Sequence, residues 1–305
     1  MKFDVFAASL AMAIPALADL LPHAGIPDDQ FNYGKMAAHL EHQLGFAGSY
    51  SRDYWVHGWL PQSCKDMANE FGLDPNDFTV FSAHYADCDR AWIFCRHKDS
   101  AADEGNMLEM FGRTPVGMRQ FVRHLVGLPS YLSKWDAQAT PSGDVRFFSR
   151  IDMPLLLHEV SHSMDWHALS GYGDTFSSSR IWSDAYYRDS HTPSEYGRAN
   201  WMEDFAEAGK CGVADANLAG GFGSITDWWP TIQNQYMAYE WYFGAFIKSG
   251  GSCTRRFANS ATVQMNGNSK RAVSAEPEDP VTNSSIATIQ PKPHLEGQIT
   301  ACQLK

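Results

Sequence analysis

Two histidines and a glutamate near the middle of the chain have the residue types and the spacing of a metal site. His158, Glu159 and His162 form an HExxH motif within the stretch Pro154–His167. Residues four apart on a helix lie on one face, so the two imidazoles can bind the same zinc ion. Glu159 can then take a proton from a zinc-bound water as a general base. The pattern predicts hydrolytic chemistry.

The residues around the motif favour the helix that this geometry needs. Asp152 is a candidate N-cap, Pro154 falls in the first turn, and three leucines follow. A core helix whose histidines have only structural partners is the alternative, and the motif alone leaves it open.

A catalytic zinc usually has three protein ligands and one open position, so a third ligand is needed. Metzincins supply it from a histidine six residues after the second one, but His167 follows His162 by five, and Asp165 replaces the usual glycine. On a continuing helix His167 lies about 180° from His158, at roughly 100° per residue. We expect His167 to face away from the metal. Asp165 lies on the same side as His162 and either bonds to a metal ligand or caps the helix, and capping is the favoured prediction.

A pair of glutamates further along the chain provides other candidates. Glu203 and Glu207 share one face of a predicted helix that ends at Gly209. One carboxylate can bind zinc, and the acid one turn later can accept the N–H of a ligand histidine and fix its tautomer. A capping box with Asn200 and a solvated acidic face also fit this spacing.

Composition and the N-terminal residues indicate the class of partner and the cellular compartment of the protein. The chain has 305 residues, enough for one large domain, and its net charge of −11 argues against nucleic-acid partners. Val5–Ala18 is apolar and ends in an A-x-A-type cleavage site, which predicts a signal peptide over residues 1–18 and secretion. We expect no membrane span, because no later apolar run is long enough.

Six cysteines in a secreted chain predict disulfides. Cys88 and Cys95 flank the turn of a predicted hairpin and are the favoured pair. Residues 252–305 are rich in Ser, Thr, Asn and Pro, so we expect an irregular tail. It contains a glycosylation sequon at Asn283.

The segment Tyr196–Gly209 resembles the one that follows HExxH in the catalytic domain of anthrax lethal factor, in the zincin group that also contains the Pro-Pro endopeptidases. The likeness rests on Tyr196–Asn200, Glu203 and Phe205–Ala208. The resemblance implies a gluzincin site with one zinc ion per chain, bound by His158, His162 and Glu203. It also implies that Glu159 is the general base, that Glu207 is an acid hydrogen-bonded to a ligand, and that Tyr196 donates to the oxyanion.

Three departures from lethal factor concern substrate specificity more than metal binding, and one of them is a different loop between the two matching segments. Ser161 replaces the glycine often found between the histidines, and Asp204 stands where lethal factor has an aromatic residue. The layout of the whole chain also resembles the secreted fungal conidiation-specific protein family, which implies a metalloprotease.

The predicted fold is α+β and zincin-like, with a small sheet packed on helices and the HExxH helix on the floor of a cleft. The catalytic domain covers residues 19–251, with its upper half to about residue 150 and its lower half over 151–251. Val116–Val126 is predicted to be helical. Asp144–Arg150 is predicted to be a strand, either interior or an edge that holds an extended peptide.

These features together predict a secreted zinc-dependent endopeptidase with a peptide or protein as substrate. One alternative is a secreted zinc-binding protein that has lost catalysis and acts as a toxin-like or binding module. The other is a metal-free structural protein of the extracellular matrix or the spore wall.

Overall fold

The computed structural model describes residues 20–267, 286–289 and 300–302, which form an α+β structure with a sheet packed on helices. The predicted signal peptide and the sequon at Asn283 lie outside these residues. Among the described helices, none has both the length and the apolar character needed to cross a bilayer.

The central sheet has seven strands and ends at a strand from the C-terminal region. The strands are β1 (Tyr50–Tyr54), β3 (Phe78–Tyr85), β4 (Cys88–His97), β5 (His124–Gly127), β6 (Ala137–Ala139), β7 (Val145–Phe147) and β11 (Thr300–Cys302). Their order is β1-β3-β4-β5-β7-β6-β11. The pairs β4–β5 and β5–β7 are parallel, and the other neighbours are antiparallel. β3 and β4 form the predicted hairpin.

Four short strands make two further pairs. β2 (Trp59–Pro61) is antiparallel to β9 (Thr262–Gln264), and β8 (Arg255–Phe257) is parallel to β10 (Ala287–Ile289). The region after residue 252, predicted to be irregular, thus contributes strands to three sheets among the described residues.

Eight α-helices are present in the described part of the chain. They are α1 (Tyr33–Gln43), α2 (Gln62–Glu70), α3 (Glu104–Arg113), α4 (Val116–Arg119), α5 (Met153–His167), α6 (Arg180–Arg188), α7 (Trp201–Asn217) and α8 (Gln233–Ile247). α5 is the predicted HExxH helix, and the Asp152 side chain caps it by accepting from the Leu155 amide at 2.9 Å. α5 packs against α7 and against the β6–β11 end of the sheet.

A close approach between α5 and α7 brings their polar residues together. A Cβ atom on Gly209 would lie 2.4 Å from Ser161 Oγ, so only glycine fits at this contact. The Ser161 hydroxyl donates to the Leu157 carbonyl at 2.7 Å and lies 2.8 Å from the Tyr239 hydroxyl of α8. The serine between the two histidines therefore joins three helices.

The prediction of a helix over Val116–Val126 is correct for the first four residues, which form α4, and wrong for the rest. α4 ends at Arg119, and the chain enters β5 at His124. β5 lies between two parallel neighbours and is buried throughout, and such strands read as continuous apolar runs without alternation. The strand predicted over Asp144–Arg150 is β7, which is interior, and β6 is the strand that pairs with β11.

The favoured disulfide, Cys88–Cys95, is also wrong. The structure pairs Cys64 with Cys95 and Cys88 with Cys253. Cys88 and Cys95 lie on one strand, about 23 Å apart at ~3.3 Å per residue, far beyond the reach of a disulfide. The two remaining cysteines, in α7 and β11, are buried and unpaired.

Candidate metal centre

Three donor atoms from α5 and α7 converge in the interior. His158 Nε2 and His162 Nε2 are 3.0 Å apart, and each lies 3.2 Å from Glu203 Oε2. Tetrahedral zinc with bonds of about 2.0–2.2 Å separates its nitrogen and oxygen ligands by about 3.3–3.6 Å. The donor types and spacing therefore fit a zinc ion.

The backbone amide and the carboxylate of Glu203 have different partners. The Asn200 side chain caps α7 by accepting from the amides of Met202 and Glu203. The Glu203 carboxylate does not complete the capping box and faces the two imidazoles of α5. The Glu203 amide thus takes part in the cap of α7, and its carboxylate is placed to bind a metal. The third alternative, a solvated acidic face, is excluded because Glu203 and Glu207 are buried.

Glu207 contacts the other nitrogen of the first histidine. Its Oε1 lies 2.9 Å from His158 Nδ1 and 2.7 Å from Lys210 Nζ. Because a carboxylate accepts, Nδ1 is the donor, and the Nε2 lone pair of a neutral His158 is left for a cation. The sequence reasoning missed this contact of Lys210, although its position three residues after Glu207 was a usable signal.

The electrostatics of the cluster favour a positive charge. Burial lowers the pKa of His158, but hydrogen bonds to Glu203 and Glu207 outweigh it and raise the pKa to about 9. Burial raises the pKa of Glu203, yet the two imidazoles hold it at about 2. The pKa of Glu207 is also lowered, because Lys210 and His158 outweigh its burial.

Glu159 is fully buried beside the cluster. A hydrogen bond from the Ala139 backbone reaches its carboxylate, which has no side-chain partner among the described residues. Burial raises its pKa to about 8. A buried carboxyl group with a raised pKa beside a cluster of possible metal ligands is a candidate functional group.

Tyr196 lines a cavity next to the cluster. Its ring centroid lies 5.8 Å from that of His158, and the cavity of about 330 Å³ also contacts Tyr33, Leu155 and Cys302. Burial raises the pKa of Tyr196 far above its usual value, so the hydroxyl remains a neutral donor.

His167 and Asp165 lie outside the cluster. His167 Nε2 is 2.6 Å from the Pro141 carbonyl, and its ring packs on Phe257. Asp165 was expected to cap the helix, but its carboxylate accepts from the Ser177 amide and hydroxyl at 2.7 and 2.6 Å. Asp165 therefore holds the loop after α5 rather than the helix end.

Comparisons with known proteins identify relatives by sequence. The model of the family described as "Conidiation-specific protein Con-13" matches residues 38–286. "Conidiation-specific protein 13" of Neurospora crassa is 27% identical over 173 residues, which cover 55% of this chain and 50% of the relative. The chain thus spans about half the length of that curated relative. No solved structure matches.

Proposed function

This chain belongs to the conidiation-specific protein Con-13 family, and we propose that it is a secreted zinc-dependent endopeptidase with a zincin-type fold. The observation that carries the proposal is the triangle of His158, His162 and Glu203 donor atoms, 3.0–3.2 Å apart in the interior, beside the buried Glu159 carboxylate. This donor set, on an HExxH helix and a second helix, supports the proposal of a gluzincin site.

Three residues of the proposed site would bind the metal, and two others would orient one of these ligands. His158, His162 and Glu203 would bind one zinc ion, which when bound lowers the pKa of a water and polarises a carbonyl group. Glu207, supported by Lys210, holds the tautomer of His158 that leaves Nε2 free to bind. The ligands are preorganised because both helices are buried around them.

Glu159 and Tyr196 are proposed to carry out the proton and charge steps. Glu159 takes a proton from the attacking water and passes it to the leaving amine. Tyr196 donates to the oxyanion that develops on the scissile carbonyl, and this interaction exists mainly in the transition state. The cavity of about 330 Å³ beside Tyr196 has room for a substrate side chain.

Secretion and a peptide substrate are parts of the same proposal. The disulfides Cys64–Cys95 and Cys88–Cys253 support an oxidising compartment. The short strand β11 at the end of the sheet supports the binding of an extended chain by main-chain hydrogen bonds.

A comparison of the wild type with Glu159→Gln tests the proposal. Purified protein is loaded with zinc, its zinc content is measured, and hydrolysis of a peptide library is followed by mass spectrometry. We expect one zinc per chain in both proteins and at least a hundredfold slower cleavage by the variant, because the variant lacks the base.

Two results would contradict the proposal in different ways. Less than about 0.2 zinc per chain under metal-replete conditions would rule out the metal centre. A full complement of zinc with equal turnover by both proteins, or with none by either, would rule out Glu159-dependent peptidase activity. His167→Ala is a suitable control, since His167 lies on the far side of α5 against Pro141.

A further inference from the structure

The N-terminal end of the described chain runs along the loop that carries the proposed oxyanion donor. We call residues 21–26 the strap and residues 192–199 the donor loop. The Thr192 amide donates to the Ala24 carbonyl, and the Ile26 amide donates to the Thr192 carbonyl, both at 3.0 Å. Main-chain hydrogen bonds therefore join the strap and the donor loop in both directions.

Further bonds of the strap reach the residues next to the proposed donor. The Leu21 amide donates to the Arg198 carbonyl at 2.8 Å, and the Gly25 amide donates to Glu195 Oε1 at 2.9 Å. Glu195 Oε2 in turn accepts from Arg198 Nη1 at 2.8 Å. Since Glu195 immediately precedes Tyr196 in the chain, these contacts hold the backbone beside the proposed donor.

The closest approach between the strap and the donor loop is at Gly25. A Cβ atom on Gly25 would lie 2.2 Å from the Glu195 amide nitrogen and 2.3 Å from the Ser194 carbonyl carbon. Both are backbone atoms, which cannot turn aside as a side chain can, so only glycine permits this approach. Ile26 is completely buried in the main core and anchors the strap to the domain.

A second set of contacts binds the donor loop to α7. The Thr192 hydroxyl donates to Asp204 Oδ1, and Trp182 Nε1 donates to Oδ2 of the same carboxylate at 3.0 Å. A Cβ atom on Gly197 would lie 2.7 Å from Thr192 Oγ1, so the loop is also closely packed on itself. The donor loop is thus held both by the strap and by the helix that carries Glu203.

We propose that the strap is a positioning element of the candidate active site, in which Gly25 and Glu195 hold the donor loop so that the Tyr196 hydroxyl can reach the oxyanion. The inference rests on the role of Tyr196 in the proposed function. An oxyanion donor is effective only when it is preorganised at hydrogen-bond distance from the developing charge. A displacement of about 1 Å can cost on the order of a hundredfold in rate. The segment after the predicted signal peptide accordingly belongs to the active protein and is not a removable prosegment.

A double-mutant cycle tests whether the strap acts through the tyrosine. We expect Gly25→Ala to lower kcat at least about tenfold, because the added Cβ atom forces the strap and the donor loop apart. In the Tyr196→Phe background the same substitution should change kcat by less than about twofold, because the hydroxyl that the strap positions is absent. Gly34→Ala is the matched control, since a Cβ atom there would come no nearer than 3.8 Å to its closest neighbour.

Two substitutions at Glu195 provide a second test that does not depend on the folding of Gly25→Ala. Glu195→Gln keeps an acceptor oxygen for the Gly25 amide and loses only the ion pair with Arg198, whereas Glu195→Ala loses both. The side chain is 46% exposed, so we expect both variants to fold. Glu195→Ala should lower kcat about fivefold and Glu195→Gln less than about twofold. Equal losses in the two variants would show that this hydrogen bond does not position the loop.

Hydrogen exchange reports on the strap independently of catalysis. The amides of Thr192 and Ile26 should exchange at least about tenfold faster in Gly25→Ala than in the wild type, because each bonds across the contact. The Leu128 amide, which donates to the Phe147 carbonyl in the central sheet, should keep its exchange rate. An unchanged rate at Leu128 shows that the domain remains folded.

The outcomes separate this inference from the proposed function. Equal losses of kcat from Gly25→Ala in the wild-type and Tyr196→Phe backgrounds overturn positioning by the strap and leave the proposed peptidase intact. An unchanged kcat in Gly25→Ala, or an unchanged exchange rate at Thr192, also overturns it. Absence of cleavage by the zinc-loaded wild type overturns the proposed function, and this inference with it.

Discussion

Lys210 Nζ lies 2.7 Å from Glu207 Oε1, and both side chains are almost completely buried. The same carboxylate oxygen contacts His158 Nδ1 at 2.9 Å, so a buried ammonium is linked to the imidazole through one acid. Lys210 also lies over the rings of Phe31 and Tyr33, which connects this ion pair to the N-terminal part of the domain. The Lys210 ammonium therefore compensates the negative charge of Glu207.

Lys210→Met should destabilise the fold by about 3 kcal/mol, because it leaves Glu207 as a buried charge with one partner fewer. The double variant Lys210→Met/Glu207→Gln should recover a large part of that loss, since neither charge then remains. Urea denaturation monitored by fluorescence gives both values. Lys35→Met, at an exposed position of α1, is the control and should change stability by less than about 0.5 kcal/mol. Equal losses in the single and double variants would show that the two charges do not compensate each other.

Glu203→Gln should reduce zinc affinity by more than about a hundredfold, because loss of a direct ligand costs more than loss of its hydrogen-bonded neighbours, which typically costs 10–100-fold. His167→Ala should leave zinc affinity unchanged, since His167 contacts Pro141 and Phe257 instead of the cluster. Competition with a fluorescent chelator measures both affinities. The ligand assignment is wrong if the effects of these two substitutions are reversed.

Tyr196→Phe should lower kcat by on the order of a hundredfold, because it removes a donor that acts mainly in the transition state. KM and zinc content should change little, since the ring and its packing on His158 are retained. Steady-state kinetics on the best library peptide provides the measurement. Tyr187→Phe, at an exposed position of α6, serves as the control. An unchanged kcat in Tyr196→Phe would leave Tyr196 with a packing role only.

Local patterns in the sequence predicted the parts of the site that lie on helices. The Asp152 cap, Pro154 and the spacing of the histidines were sufficient to predict α5, and helical register separated His167 from His158. The pairing of Glu203 with Glu207 was likewise local. Each of these features depends on residues within a few turns of one another, where the 3.6-residue period sets the geometry.

Features that depend on distant parts of the chain were not predicted. β5 was mistaken for helix because a strand buried between parallel neighbours lacks alternation. The partner of Cys88 is 165 residues away, and no local pattern indicates Cys253. Cys302 lies near His158 and Glu159 only because β11 returns to pair with β6, which is a property of the tertiary fold.

The two disulfides should differ in their contributions to stability. Cys88–Cys253 closes a loop of 165 residues and Cys64–Cys95 one of 31. The chain-entropy relation makes loss of the longer loop costlier by about 1.5 kcal/mol. Urea denaturation of Cys88→Ala/Cys253→Ala and Cys64→Ala/Cys95→Ala tests this difference. A larger loss in the second variant would show that native-state packing around Cys64 outweighs loop entropy.

Glu240 on α8 should make stability depend on pH near neutrality. Burial, followed by the nearby Asp215 carboxylate, raises the pKa of Glu240 from 4.5 to about 7. Between these values the folded chain binds more protons than the unfolded chain, so the contribution of Glu240 to stability falls as pH rises through this window and is lowest above pH 7. Glu240→Gln should therefore exceed the wild type in stability at about pH 8, by on the order of 1 kcal/mol after allowing for partial exposure. The advantage should disappear below about pH 4.5, where the carboxyl is protonated in both states. Urea denaturation at both pH values measures the effect, with the exposed Asp227→Asn as control. An equal advantage at both pH values would mean that the substitution acts through packing rather than through the charge of Glu240.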